Sequence, residues 1–154
     1  MKPILILLTS AFTLLSTYSV FAAGLLVQHP YARATPPNAP TSAVFLTFEN
    51  NSDQLREIVS ASTPAAGKVE LHTHIMQGEV MKMRQVSSIT IEPMTRTELK
   101  PGGLHIMLFD LQQPFTEGKK IEVTVNFANG EALTFEAQIK KVMQGMKSHK
   151  MSHH

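Results

Sequence analysis

KKIEVTVNFANGEALTFEAQIK, residues 119–140, decides the fold class. Ile121, Val123, Val125 and Phe127 recur at every second position. Leu133, Phe135, Ala137 and Ile139 do the same on the way back. A period of two marks a strand with one buried face, because successive side chains of an extended chain point to opposite sides. Asn129-Gly130 stands between the two runs. Both residues tolerate positive φ, so the pair predicts a two-residue hairpin turn.

The same pattern extends upstream. Leu104, Ile106 and Leu108 alternate with His105, Met107 and Phe109, and this run opens after Pro101-Gly102-Gly103. Ile89 and Ile91 alternate with polar neighbours before Pro93. Val69, Leu71, Thr73 and Ile75 alternate with Glu70, His72, His74 and Met76. Ala43, Phe45 and Leu46 lie in a β-branched and aromatic run that ends at Asn50-Asn51-Ser52, a turn cluster. No window of twelve residues carries a helical stripe, and there is no internal repeat. About seven short antiparallel strands at even spacing predict an all-β chain, an antiparallel Greek-key β-sandwich. From Met143 the alternation stops, and the tail MQGMKSHKMSHH is expected to be disordered.

The first 22 residues read as an address. Lys2 supplies a positive start, Ile4 to Leu8 and Ala11 to Leu15 an apolar core, and Val20 with Ala22 the small-residue pattern before a cut. The expected mature start is Ala23. Ser10, Thr13, Ser16, Thr17 and Ser19 dilute the apolar run that a membrane span needs. The expected organisation is a signal peptide over 1–22, one domain over 23–142 and a tail over 143–154, in a protein exported to the periplasm. Removing the signal takes one lysine, moves the net charge from +2 to +1 and leaves 132 residues. So small a bias gives no electrostatic case for nucleic acid. Cysteine is absent, which excludes disulfides, thiolate nucleophiles, zinc fingers and lipid attachment to a thiol. Neither a Ser-His-Asp signature nor a paired-carboxylate motif supports hydrolysis, so binding rather than catalysis is expected.

Methionine and histidine carry the remaining chemistry, with nine and seven copies. Met76, Met81, Met83, Met94 and Met107 share one window with His72, His74 and His105. His105 and Met107 are two apart on one strand, so they project to the same side about 6.8 Å apart. They should face away from the apolar layer formed by Ile106 and Leu108. His72 and Met83 lie on two further strands separated by a turn near Gln77-Gly78-Glu79, and a sandwich can bring both beside His105. Thioethers are soft and neutral, and imidazole suits copper and zinc alike, so two Met with two His favour Cu(I) over Zn²⁺, Fe²⁺ or Mg²⁺. The competing reading is plain packing, because methionine is a common core filler. Met76, Met81 and Met94 are expected to be packing residues or supports for the ligands. His74 shares a face with His72 but need not reach the same ion, and His29, before Pro30, is read as structural.

Ten residues separate His72 from Met83, twenty-one separate Met83 from His105, and one separates His105 from Met107. Around these stand Tyr31-Ala32-Arg33-Ala34-Thr35, Val69-Glu70-Leu71-His72, Val80-Met81-Lys82-Met83-Arg84 and Lys100-Pro101-Gly102-Gly103-Leu104-His105-Ile106-Met107-Leu108. In these residues the chain resembles the periplasmic copper chaperone family PCu(A)C, over about Leu25 to Val142. Thr73 stands where some members of the family place an additional Met. The resemblance implies a cupredoxin-like β-sandwich with a surface Cu(I) site at His72, Met83, His105 and Met107. It also implies delivery of Cu(I) to a recipient, such as the CuA subunit of cytochrome c oxidase or a thiol-bearing copper chaperone. Storage that only sequesters copper is the alternative. Met143, Met146, His149, Met151, His153 and His154 in the tail form a second candidate site, whose imidazoles would suit Cu(II) as well as Cu(I).

Overall fold

The computed structural model describes residues 24–141. The expected signal segment, Met1 to Ala22, and the tail ligands Met143, Met146, His149, Met151, His153 and His154 lie outside the described residues. Ten strands follow one another: β1 (Leu25–Arg33), β2 (Thr41–Asn50), β3 (Arg56–Ser62), β4 (Ala66–Gln77), β5 (Val80–Gln85), β6 (Ile89–Ile91), β7 (Arg96–Leu99), β8 (His105–Leu111), β9 (Lys120–Phe127) and β10 (Ala132–Lys140). There is no α-helix among the described residues. Three strands lie beyond the expected runs, β1, β3 and β7, and the expected Ile89–Ile91 run forms β6, only three residues long.

The strands join edge to edge in the order β5-β4-β8-β2-β1-β10-β9-β3-β6, with β7 paired to β2. β3 also packs against β4 and β6 beside β7, so the twisted path folds over a single core. One pair departs from the antiparallel expectation. β1 runs parallel to β10, Tyr31 opposite Gln138 and Arg33 opposite Lys140. A parallel pair needs a long crossover, and here the crossover is everything between the first and last strands. That separation hid the pairing from local sequence.

The hairpin that fixes the fold class forms as read, with one correction. Ile121, Val123, Val125 and Phe127 of β9 and Leu133, Ala137 and Ile139 of β10 are buried. The loop is Ala128 to Glu131, and the Gly130 N–H donates to the Phe127 carbonyl at 3.0 Å. Only Gly130 takes positive φ, at 86°. The turn is therefore of the ordinary type followed by a left-handed glycine, which needs one positive φ and not two. Asn129 contributes instead through its side chain, whose Oδ1 accepts from the Glu131 N–H at 3.0 Å.

β2 is buried on both faces. Val44, Leu46 and Phe48 join the core, while Ala43 and Phe45 are covered from the other side. Its first half pairs with β8 and its second half with β7. β8 lies next, with Ile106 and Leu108 fully inside the core. Removing the side chain of Ile106 should therefore cost the apo protein about 2–5 kcal/mol through lost burial and a residual cavity. Urea denaturation of apo Ile106→Ala should show this as a lowered midpoint with an unchanged slope. A midpoint equal to wild type would mean that β8 does not anchor the core.

Candidate metal-binding site

β8 lies between β2 and β4, and β5 continues beyond β4. The antiparallel register sets His72 of β4 opposite His105 of β8, and Glu70 opposite Met107. Across the next ladder His74 stands opposite Met83 of β5. Because side chains alternate, Glu70, His72 and His74 share one face of the sheet with Met83, His105 and Met107. The apolar partners Leu71, Ile106 and Leu108 occupy the other face, in the core.

This donor face holds a pocket of about 190 Å³. Its lining includes Arg33, Phe45, His74, Met83, His105 and Met107, and no carboxylate. Phe45 stacks on Tyr31 at 5.2 Å and lies 6.2 Å from the His105 ring. Arg33 sits over the Phe45 ring at 5.7 Å.

His105 points away from the apolar layer as the alternation predicts, but it is not at the surface. Only 2% of it is exposed, because Phe45, Met83 and the β4 imidazoles cover it. Its Nδ1–H donates to the Gly103 carbonyl at 2.9 Å. Burial holds its pKa below the ordinary imidazole value; the Gly103 hydrogen bond opposes this, and His74, His72 and Arg33 add to the lowering. The ring is therefore neutral near pH 7, with its proton on Nδ1. Its Nε2 lone pair faces the Met83 sulfur at 3.1 Å. Two acceptors aimed at each other repel, and a soft cation held between them could turn that contact into two bonds.

His72 is buried in the next row. Its ring lies 5.8 Å from His105 and 5.9 Å from Phe109. Its Nε2–H donates to Glu70 Oε2 at 2.7 Å, and Lys68 reaches the other carboxylate oxygen at 2.6 Å. Hydrogen bonds from Lys68 first and then His72 hold the Glu70 carboxyl below its usual range. His72 Nδ1 is buried without a hydrogen-bond partner. A carboxylate on one ring nitrogen and a free lone pair on the other is how proteins prepare a histidine ligand. His72 does not line the pocket itself; His74 does. Among the described residues, no three His, Asp or Glu converge closely enough to hold an ion by themselves. A site on this face thus needs the thioethers.

The remaining candidates fall elsewhere. Met76, Met81 and Met94 are exposed, not packed into the core. Met76 and Met81 face each other near the tip of the β4–β5 hairpin, beyond the reach of the core. Met94, with φ of 55°, sits in the connection between β6 and β7. His29 is exposed at the irregularity in β1, with φ of 51°. Sequence reasoning passed over Phe45, Arg33 and the Gly103 carbonyl as parts of the site. It underweighted His74, whose pairing with Met83 follows from counting back from the Gly78-Glu79 turn.

Residues 25–139 match the family model described as "Putative lipoprotein LpqE-like". The chain belongs to this family, the PCu(A)C family. It is 28% identical over 120 residues to "Putative lipoprotein Lxx21020" of Leifsonia xyli, covering 77% of this chain and 71% of that one. The solution structure of CuI-DR1885 from Deinococcus radiodurans is 30% identical, with TM-score 0.62, over 81% of this chain and 85% of that one. The copper-bound PCuAC domain from PmoF2 is 19% identical, with TM-score 0.66, over 77% and 94%, and it speaks for the cupredoxin-like fold alone.

Neutral His105 sets a pH dependence in the apo protein. Its folded pKa is depressed, so between that value and the unfolded value of about 6.5 the unfolded chain binds the extra proton. Stability is full above about pH 6.5 and falls as the pH drops through the folded pKa. Urea midpoints at pH 7.5, 6.5 and 5.5 should decline more steeply in wild type than in His105→Gln. Equal slopes would show that His105 titrates alike in both states.

Proposed function

We propose that this chain is an exported copper carrier that binds Cu(I) through His72, Met83, His105 and Met107 and passes it to a recipient protein. The observation that carries this reading is the convergence of His105 Nε2 and Met83 Sδ, 3.1 Å apart, in a pocket without a carboxylate. Neutral, soft donors suit a soft monovalent ion. The nearby Arg33 guanidinium further disfavours a divalent one. The Cu(I)-bound state of the 30%-identical Deinococcus protein supports the same cargo.

The mechanism follows from the donor set. Gly103 and Glu70 fix the tautomers of His105 and His72, so each presents a lone pair without reorganisation. Met83 and Met107 add bonds but no charge, so the ion stays labile toward an incoming thiolate, which is both softer and anionic. A recipient such as the CuA subunit of an oxidase, or a thiol-bearing copper chaperone, would take the ion by replacing the exposed thioether first. The 1–22 segment directs export to the periplasm, and the tail from Met143 to His154 adds capacity, including for Cu(II).

Met107 is partly exposed and lies off the core, so Met107→Ala should leave apo stability within about 0.5 kcal/mol of wild type. It should weaken Cu(I) binding at least tenfold, which is about 1.4 kcal/mol. Competition with a Cu(I) chelator reads the second effect, with Ile106→Ala as the converse control. Unchanged copper affinity in a folded Met107→Ala protein would remove Met107 from the ligand set. Transfer is tested by mixing the loaded protein with a dithiol peptide; retention of the copper would favour sequestration over delivery.

Deleting residues 143–154 should lower copper stoichiometry, chiefly for Cu(II), and leave the apo melting temperature unchanged. A large loss of melting temperature would show that the tail supports the fold.

A further inference from the structure

We propose that His74 is a copper-ligating residue of the same pocket, donating through Nε2 beside Met83, His105 and Met107. The proposal rests on the copper reading above and extends its ligand set.

Three observations place His74 there. It stands directly opposite Met83 in the β4–β5 ladder. Its ring lies 5.1 Å from that of His105, the shortest imidazole spacing among the ring contacts on this face. It also shares His105's anchor: the Gly103 carbonyl accepts from His105 Nδ1 at 2.9 Å and lies 3.4 Å from His74 Nδ1. A carbonyl can only accept, so it selects the Nδ1–H tautomer in both rings and leaves both Nε2 lone pairs free. That is the support proteins give histidine ligands, and here one oxygen supplies it twice.

His72 and His74 then have different duties. His72 is held from behind by Glu70 and lies outside the pocket lining, whereas His74 lines the pocket and is half-buried. No three imidazoles or carboxylates converge on one point among the described residues. The two β4 imidazoles therefore act in turn around a shared trio, Met83, His105 and Met107. With His74 the ion sits toward solvent, where a recipient can reach it; with His72 it sits deeper. Each set has two nitrogens and two sulfurs, so the exchange changes the ion's depth and keeps its chemistry.

The test uses the full chain with one equivalent of Cu(I) under anaerobic, reducing conditions. Long-range ¹H–¹⁵N spectra report each imidazole nitrogen, with His74 assigned through His74→Gln. In wild type or in His72→Gln, the His74 Nε2 resonance should move to a metal-bound position like that of His105. Chelator competition should find each single variant, His72→Gln and His74→Gln, weakened by about tenfold or less, and the double variant by at least about a hundredfold, because each imidazole substitutes for the other. A His74 Nε2 that is unshifted in both backgrounds overturns the proposal, as does a double variant no weaker than His72→Gln. Met83→Ala and His105→Gln distinguish the two levels. If they abolish tight binding while His74 stays silent, only this inference fails. If they too leave Cu(I) affinity unchanged, the copper reading falls with it.

Discussion

The pairing of β4 with β8 is the constraint on which the site depends. Setting His72 opposite His105 also sets Leu71 opposite Ile106 and Val69 opposite Leu108. A slip of one residue would turn every β4 side chain to the other face. It would expose Leu71 and drive His72 and Glu70 into the core. Each buried aliphatic side chain is worth about 1.5–3 kcal/mol, so the apolar face holds the register against any preference of the donors. The histidines and methionines inherit their positions from residues that never touch the pocket.

On this frame, desolvation does the chemical preparation. Covering His105 with Phe45 and Met83 makes its charged form costly, so the ring stays neutral and keeps a lone pair for a ligand. The Gly103 carbonyl decides which nitrogen carries that lone pair. Beside His72 the orienting acceptor is Glu70, which takes the Nε2–H and is itself paired with Lys68 at the rim. The carboxylate thus orients an imidazole without lining the pocket, and the lining holds Arg33 but no carboxylate. An oxygen-seeking divalent ion finds no anionic partner there, while a soft monovalent ion needs none.

How far the sequence could be read depends on range. The β9–β10 hairpin and the β4–β5 turn were legible because a local turn fixes the register: Gly78 takes φ of 65° between Gln77 and Val80. Counting back from that turn reaches the pair His74–Met83. The β4–β8 register was not legible, since more than twenty residues separate the strands, and no local signal says which residues meet. Nor was the parallel β1–β10 pair, which joins the two ends of the domain. Period two placed His105 on the donor face correctly. It could not show that the face is roofed, because a roof is made by Phe45 and Met83 from other strands. Met76, Met81 and Met94 read as packing residues or supports for the ligands, and all three are exposed: Met76 and Met81 on a hairpin that reaches past the core, Met94 in the β6–β7 connection.

That overhang bears on how the ion leaves. β5 ends the strand order, pairs only with β4, and has no buried residue along its length. Opening it breaks one ladder and exposes little apolar surface, so it belongs to the low free-energy end of local unfolding. β8, by contrast, is paired on both sides and holds Ile106 and Leu108 in the core. Met83 therefore rides on the least stable strand of the site, and His105 and Met107 on one of the most stable. On the copper reading, loss of the ion would proceed by release of the Met83 thioether, with His105 and Met107 still in place. The sandwich would stay folded throughout, because the strand that lets go contributes almost nothing to the core.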